Sequence, residues 1–225
     1  MRIKIIIIFL LSLPLLFLSC GNDLSFDNKI KFDKEFNIIS DTIVKDLPKL
    51  KPDEQSAAYS SSDLKNKRAG FSSMENGADS IKIRVWYLYQ VGHTEHVVEI
   101  ENINKKWVFS QYILTFKYDQ IHDSVIFVGK TVQHKNPNSG NERFIQKLFE
   151  LEILTLPSSE SISDYSGANA IDAGRVDVEI ASENKFRFYS YDDPFRHYSN
   201  RNAKKMEDIM TLIEKEFNFK RVEIL

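Results

Sequence analysis

"IKIRVWYLYQV", residues 81–91, alternates with a period of two: Ile81, Ile83, Val85, Tyr87, Tyr89 and Val91 fall on one side, Lys82, Arg84, Trp86, Leu88 and Gln90 on the other. Successive side chains of a strand point to opposite faces, so the run reads as a strand. Three similar segments follow, "HTEHVVEIEN" (93–102), "KKWVFSQYILTFKY" (105–118) and "DSVIFVGKTVQ" (123–133), each rich in β-branched or aromatic residues. Their joints, "INKK" and "DQIHD", are short and polar. A parallel return would need a crossover of about a dozen residues or more, so short joints predict antiparallel neighbours. The expectation is a four-stranded meander.

Downstream, "HKNPNSGN" (134–141) breaks the pattern, and "ERFIQKLFELEIL" (142–154) places Phe144, Ile145, Leu148, Leu151 and Leu154 on one helical face, with Pro157 as the stop. "GRVDVEIAS" (174–182) and "KFRFYSY" (185–191) read as two strands joined by a hairpin turn at Glu183-Asn184. Their alternation sends Val176, Val178 and Ile180 inward and leaves Arg175, Asp177 and Glu179 in water. "NAKKMEDIMTLIEKEF" (202–217) carries the cleanest apolar stripe, Ala203, Met206, Ile209, Met210, Ile213 and Phe217. Strands, helix, hairpin and helix in this order predict an α+β fold, an antiparallel sheet with its helices packed on one face.

Ahead of this body, assigned to residues 80–225, two segments read differently. "FNIISDTIVKDL" (36–47) spaces Phe36, Ile39, Ile43 and Leu47 as a short amphipathic helix ended by Pro48. Residues 48–79, rich in Ser, Asn, Lys and Gly, lack a sustained apolar period and read as a linker or mobile loop.

The chain starts with two cations, Arg2 and Lys4, and then an uncharged apolar run that ends at Ser19. This is the layout of a secretory signal peptide over residues 1–19. A spanning helix needs roughly 20 apolar residues, and this run is shorter and interrupted by Pro14. The sole cysteine, Cys20, stands directly after it. Phe17-Leu18-Ser19-Cys20 resembles the lipobox of bacterial lipoproteins. That resemblance covers about the first 22 residues and implies a diacylated Cys20 at the mature N-terminus, a tether over 20–35, and a domain outside the cytoplasm. The anchor would be the membrane itself, the outer one where the cell has one. Each buried acyl methylene contributes about 0.8 kcal/mol, so two or more chains hold stably where one does not.

Composition narrows the rest. With 42% hydrophobic and 28% charged residues the chain can fill a core, and a single cysteine allows no internal disulfide. A formal net charge of −2 argues against nucleic acid as a partner. His93, Glu95 and His96 sit in a turn entering a strand, where residues three apart point to opposite faces, and His122, His134 and His197 lie on separate segments without metal-site spacing. No Gly-rich phosphate loop and no G-x-S-x-G elbow occurs, and Asp192-Asp193 before Pro194 suits a turn. No metal, cofactor or catalytic residue is therefore expected. "FRFYSYDDPFRHYSNR" (186–201) concentrates Arg187, Tyr189, Tyr191, Arg196 and His197, residue types enriched at binding hot spots, with Arg187, Tyr189 and Tyr191 expected on an exposed sheet face. The sequence thus points to a lipid-anchored envelope domain that binds a protein or an envelope component, as inhibitor, immunity factor or assembly accessory. The competing class is an envelope hydrolase built from His and carboxylate groups that folding brings together.

Overall fold

The computed structural model describes residues 43–48, 57–88, 94–122, 124–163, 165, 174–197 and 199–220. The signal segment, Cys20 and the tether lie outside the described residues. The run at 81–91 becomes the centre of the sheet: β2 (Ala78–Leu88) pairs on one side with β3 (Thr94–Ile103), which leads to β4 (Lys106–Asp119) and β5 (Ser124–His134). On its other side lies β6 (Arg175–Glu183), followed by β7 (Lys185–Asp192) and β1 (Val44–Asp46). The order is β1-β7-β6-β2-β3-β4-β5, and every pair is antiparallel except β1 with β7. The meander is as the sequence predicts.

Turn chemistry fixes its register. Ile103 faces Lys106 across Asn104 and Lys105, whose φ angles of 50° and 64° make a type I′ turn. That turn matches the right-handed twist of the flanking strands. Ser182 faces Lys185 across the expected Glu183-Asn184 turn, with Glu183 at φ 49°. Gly77 approaches this turn so closely that a Cβ on it would lie 1.5 Å from the Glu183 carbonyl oxygen. Only glycine fits there.

The main core lies on the face of Ile83, Val85, Val98, Ile100, Val178 and Ile180, all fully buried. Two helices cover it: α2 (Asn141–Glu150), through Phe144, Ile145 and Leu148, and α3 (Arg201–Phe217), through Met206, Ile209, Ile213 and Phe217. Each large aliphatic or aromatic side chain buried here contributes about 1.5–3 kcal/mol. Asn200 caps α3, its Oδ1 accepting from the backbone of Asn202 at 2.9 Å and Ala203 at 3.1 Å. The stop of α2 comes earlier than Pro157. Glu152 takes a left-handed φ of 63° and Ile153 N–H donates to Leu148 O, a Schellman closure with Ile153 and Leu148 both buried.

Three expectations are corrected. Residues 44–46 of the helix expected over 36–47 form a strand, added parallel to β7; residues 36–42 lie outside the described residues. Within the supposed linker 48–79, Ala57–Arg68 form α1, and β2 begins at Ala78. The helices do not share one face either, because α1 packs on the opposite side, Tyr59 setting its ring against Phe186 and Phe188. The sequence hid α1 because its docking groups are polar: Ser62 and Asn66 are buried, and Leu64 is exposed. Asp177 and Glu179, expected in water, are consequently buried beneath it, together with Arg84 and Trp86 from the second face of β2. Among the described residues no helix is long and apolar enough to cross a membrane.

Candidate binding surface

The last strand of the meander is the least covered part of the described chain. Pairing of β3 with β4 stops at Thr94 opposite Thr115, whereas β4 and β5 stay paired to Asp119 opposite Ser124. The hairpin therefore runs on past β3. β5 is 11 residues long, and no described strand pairs with its outer edge. "VIFV" (125–128) puts apolar groups on both faces in succession, more than the core can cover. Val125 is 57%, Ile126 47%, Val128 60% and Val132 47% exposed, and Tyr118 and Ile121 join them on the hairpin.

Native proteins usually guard such edges with proline, charge or bulges, because the free backbone row is a template for another strand. β5 has no proline. Gly129 faces Thr115 and Phe127 faces Phe116, so Val128 is one extra, bulged residue. The one Lys, Lys130, is folded back over the sheet: its Nζ donates to Gly70 O at 3.3 Å and lies 4.3 Å from the centre of the Phe71 ring. It leaves the edge open. The opposite edge, β1, is only 3 residues long and is fastened by Asp46 to Arg187 at 2.8 Å.

Beneath α1 the sheet carries a closed ionic network. Arg84 is fully buried, pairing with Glu99 at 2.8 Å and Glu179 at 3.1 Å. Glu179 also accepts from Trp86 Nε1 at 3.0 Å and from Asn66 Nδ2 at 2.7 Å, while Asn66 Oδ1 accepts from Arg84 at 2.9 Å. Burial pushes the Glu99 carboxyl up, but Arg84 and Lys82 outweigh it and hold it below its ordinary value. Every member has partners, the condition under which buried charge is tolerable. A cavity of about 40 Å³ beside it, lined by Tyr59, Asp63, Asn66 and Glu179 among others, has room for water only. Toward the end of the same face Glu95 pairs with Lys65, and burial raises its carboxyl despite that partner. Asp177, fully buried, is pushed up to about 7 by burial although Arg175 lies 2.9 Å away.

The stretch 186–201 is structural where the sequence suggested an exposed recognition face. Phe186 and Phe188 are core residues that face α1, and Arg187, Tyr189 and Tyr191 are buried on the opposite side. Arg187 donates to the carbonyls of Leu154 and, at 2.7 Å, Leu156; Tyr189 Oη donates to Ile153 O at 2.6 Å. Together they clamp the turn that follows α2. Tyr191 packs edge-on to Tyr165 at 5.7 Å, and burial raises both phenols. Arg196 is largely exposed, 3.6 Å from Asp193, and His197 is half-buried 4.3 Å from the Tyr165 ring. Only these two of the five retain surface a partner could touch. Asp193, at φ 43°, accepts from Gly174 N–H through its side chain and returns a backbone bond to Gly174 O, so the acidic pair makes a turn. Glu95 and His96 point to opposite faces, His96 stacking on Phe219 at 4.6 Å. Among the described residues no group of three or more His, Cys, Asp or Glu could hold a metal.

The β5 edge was open to sequence reasoning in part. A meander's last strand is a sheet edge unless something follows beside it, and an unbroken apolar run there exceeds what one core face takes. Compared with known proteins, the chain matches no family model, no curated protein and no solved structure.

Proposed function

We propose that this chain is a lipid-anchored protein of a bacterial cell envelope whose α+β domain acts by binding, with the outer edge of β5 as its docking surface. The observation that carries the reading is the exposed, unguarded edge of Val125, Ile126, Val128 and Val132 on an otherwise well-packed sheet. Strand addition to such an edge takes affinity from backbone hydrogen bonds and specificity from alternate side chains. The lipobox resemblance at Cys20 supplies the anchor, and the domain reaches partners at the membrane surface.

The test has two arms. A photo-crosslinking residue in place of Val128, in the full chain in cells, should yield adducts, whereas one in place of Lys204 on α3 should not. Absence of adducts at 128 would sink the docking surface. Separately, Cys20→Ala should leave the chain unprocessed or released from membranes, and an intact mass without lipid on the wild-type chain would sink the anchor.

A further inference from the structure

Five charged groups gather at one end of the sheet face that α1 covers. Arg175 and Asp177 come from β6, Asp192 from β7, Glu95 from β3 and Lys65 from α1 itself. Arg175 Nη2 donates to Asp177 Oδ2 at 3.0 Å, and Arg175 stands directly across from Asp192 in the β6 to β7 ladder. Lys65 Nζ donates to Glu95 Oε1 at 2.5 Å. The neighbouring charges are already committed: Arg84 of β2 holds Glu99 and Glu179, and Lys82 holds Glu99 and Glu101. Among the described residues this leaves three carboxyls, Glu95, Asp177 and Asp192, against two cations, Lys65 and Arg175. The carboxyls are also short of hydrogen bonds. Asp177 Oδ1, although 2.9 Å from Arg175 Nε, makes none, and neither does the buried Glu95 Oε2. A carboxylate short of partners in a dry site is costly, and either a proton or water relieves it. A proton can be held with α1 in place; water needs α1 out of the way.

We infer that α1 is a proton-operated latch, held down while this cluster keeps an extra proton and lifting from the sheet when that proton leaves, so that Trp86, Phe186 and Phe188 are uncovered. The helix suits local opening. Its 12 residues are marginal as an isolated helix, no apolar stripe holds them, and Leu64 faces outward. The sign follows from where each carboxyl ionises. With α1 docked, burial pushes Asp177 up to about 7 and raises Glu95 despite Lys65. With α1 lifted, both reach water and ionise at their ordinary values, 3.8 for Asp177 and 4.5 for Glu95. Lifting therefore releases protons and is favoured as pH rises from about 5 to about 8. Asp192, beside Arg175, acts with Asp177 because its charge raises that carboxyl further. Lys65 opposes the change, since its pair with Glu95 strengthens as Glu95 ionises, but the burial of Glu95 outweighs that pair. The latch and the β5 edge are separate, and neither depends on the other.

Amide hydrogen exchange of the full chain, corrected for the intrinsic pH dependence of exchange, reads the open fraction of α1 however small. Between about pH 5 and about pH 8 the protection of residues 61–68 should fall by more than about tenfold, the effect of one unit of linked titration, while that of α3 holds. Asp177→Asn, neutral at every pH, should lose most of that fall. Lys65→Met leaves three carboxyls with Arg175 alone, and its α1 should begin to open at a lower pH than wild type. The wild-type profile requires no variant to fold: an α1 whose protection ignores pH overturns the inference, and so does a parallel fall in α1 and α3, which is unfolding of the whole domain. An unchanged slope in Asp177→Asn, or a wild-type onset in Lys65→Met, overturns the assignment of the proton to this cluster.

Discussion

Asn66 Nδ2 donates to Glu179 Oε1 at 2.7 Å, joining α1 to β6 across 113 positions of sequence. The bond is buried, and its acceptor already shares its other oxygen between Arg84 and Trp86. A helix with almost no apolar stripe is therefore held by buried polar groups beside the Tyr59 ring.

Replacing Asn66 by Ala leaves two charged groups each short of one partner in a buried site. The expected cost is about 1–3 kcal/mol. Leu64→Ala, on the exposed side of the same helix, should cost less than about 0.5 kcal/mol. Urea midpoints for the two variants check this, and equal small shifts would mean that α1 does not dock.

Arg84→Met removes the guanidinium shared by Glu99 and Glu179; Glu99 keeps Lys82 at 3.0 Å, whereas the buried Glu179 is left without its charged partner. A loss of about 3–5 kcal/mol is expected. Adding Glu179→Gln should return part of it, because the amide needs no counter-charge. A double variant no more stable than the single one would contradict the network.

Asp177 sets a pH dependence of definite sign. Its folded value, about 7, lies above the ordinary 3.8, so the folded chain holds that proton more tightly than the unfolded one. Its contribution is complete below the ordinary value and is lost as pH rises toward 7. Denaturation at about pH 5 and about pH 8 should show wild type losing ground to Asp177→Asn at the higher pH. Glu95, also raised by burial, acts in the same sense.

Ile213 on α3 is fully buried, and Lys215 two residues on is exposed. Ile213→Ala should cost about 2–5 kcal/mol, and Lys215→Ala less than about 0.5 kcal/mol. Comparable small shifts in denaturation midpoint would detach α3 from the core.

The elements legible in sequence are those whose periodicity reports an apolar environment. The stripe from Ala203 to Phe217 and the alternation at Ile81, Ile83 and Val85 each name a face that needs oil, and each lies where that need is met. Periodicity fails where burial is achieved by pairing. Arg84, Asp177 and Glu179 look like a solvated face, and Ser62, Lys65 and Asn66 look like linker, because each half of the α1 interface is polar without the other. Arg187 and Tyr189 mislead for a related reason. Their polar ends are satisfied by the carbonyls of Ile153, Leu154 and Leu156, and a loop's path is not encoded in the strand that it crosses.

β1 and β5 stand at opposite ends of the sheet, six strand spacings of roughly 4.8 Å apart, about 29 Å in all. If the anchor pulls from the chain that enters at Val44 while a partner holds β5, the load runs sideways through every ladder in turn. Those ladders are unequal. β1 meets β7 over three residue pairs, whereas β4 meets β5 over ten. Under tension the short parallel ladder and the Asp46–Arg187 pair part first, paying out the N-terminal chain as slack while the meander and its docked edge stay whole.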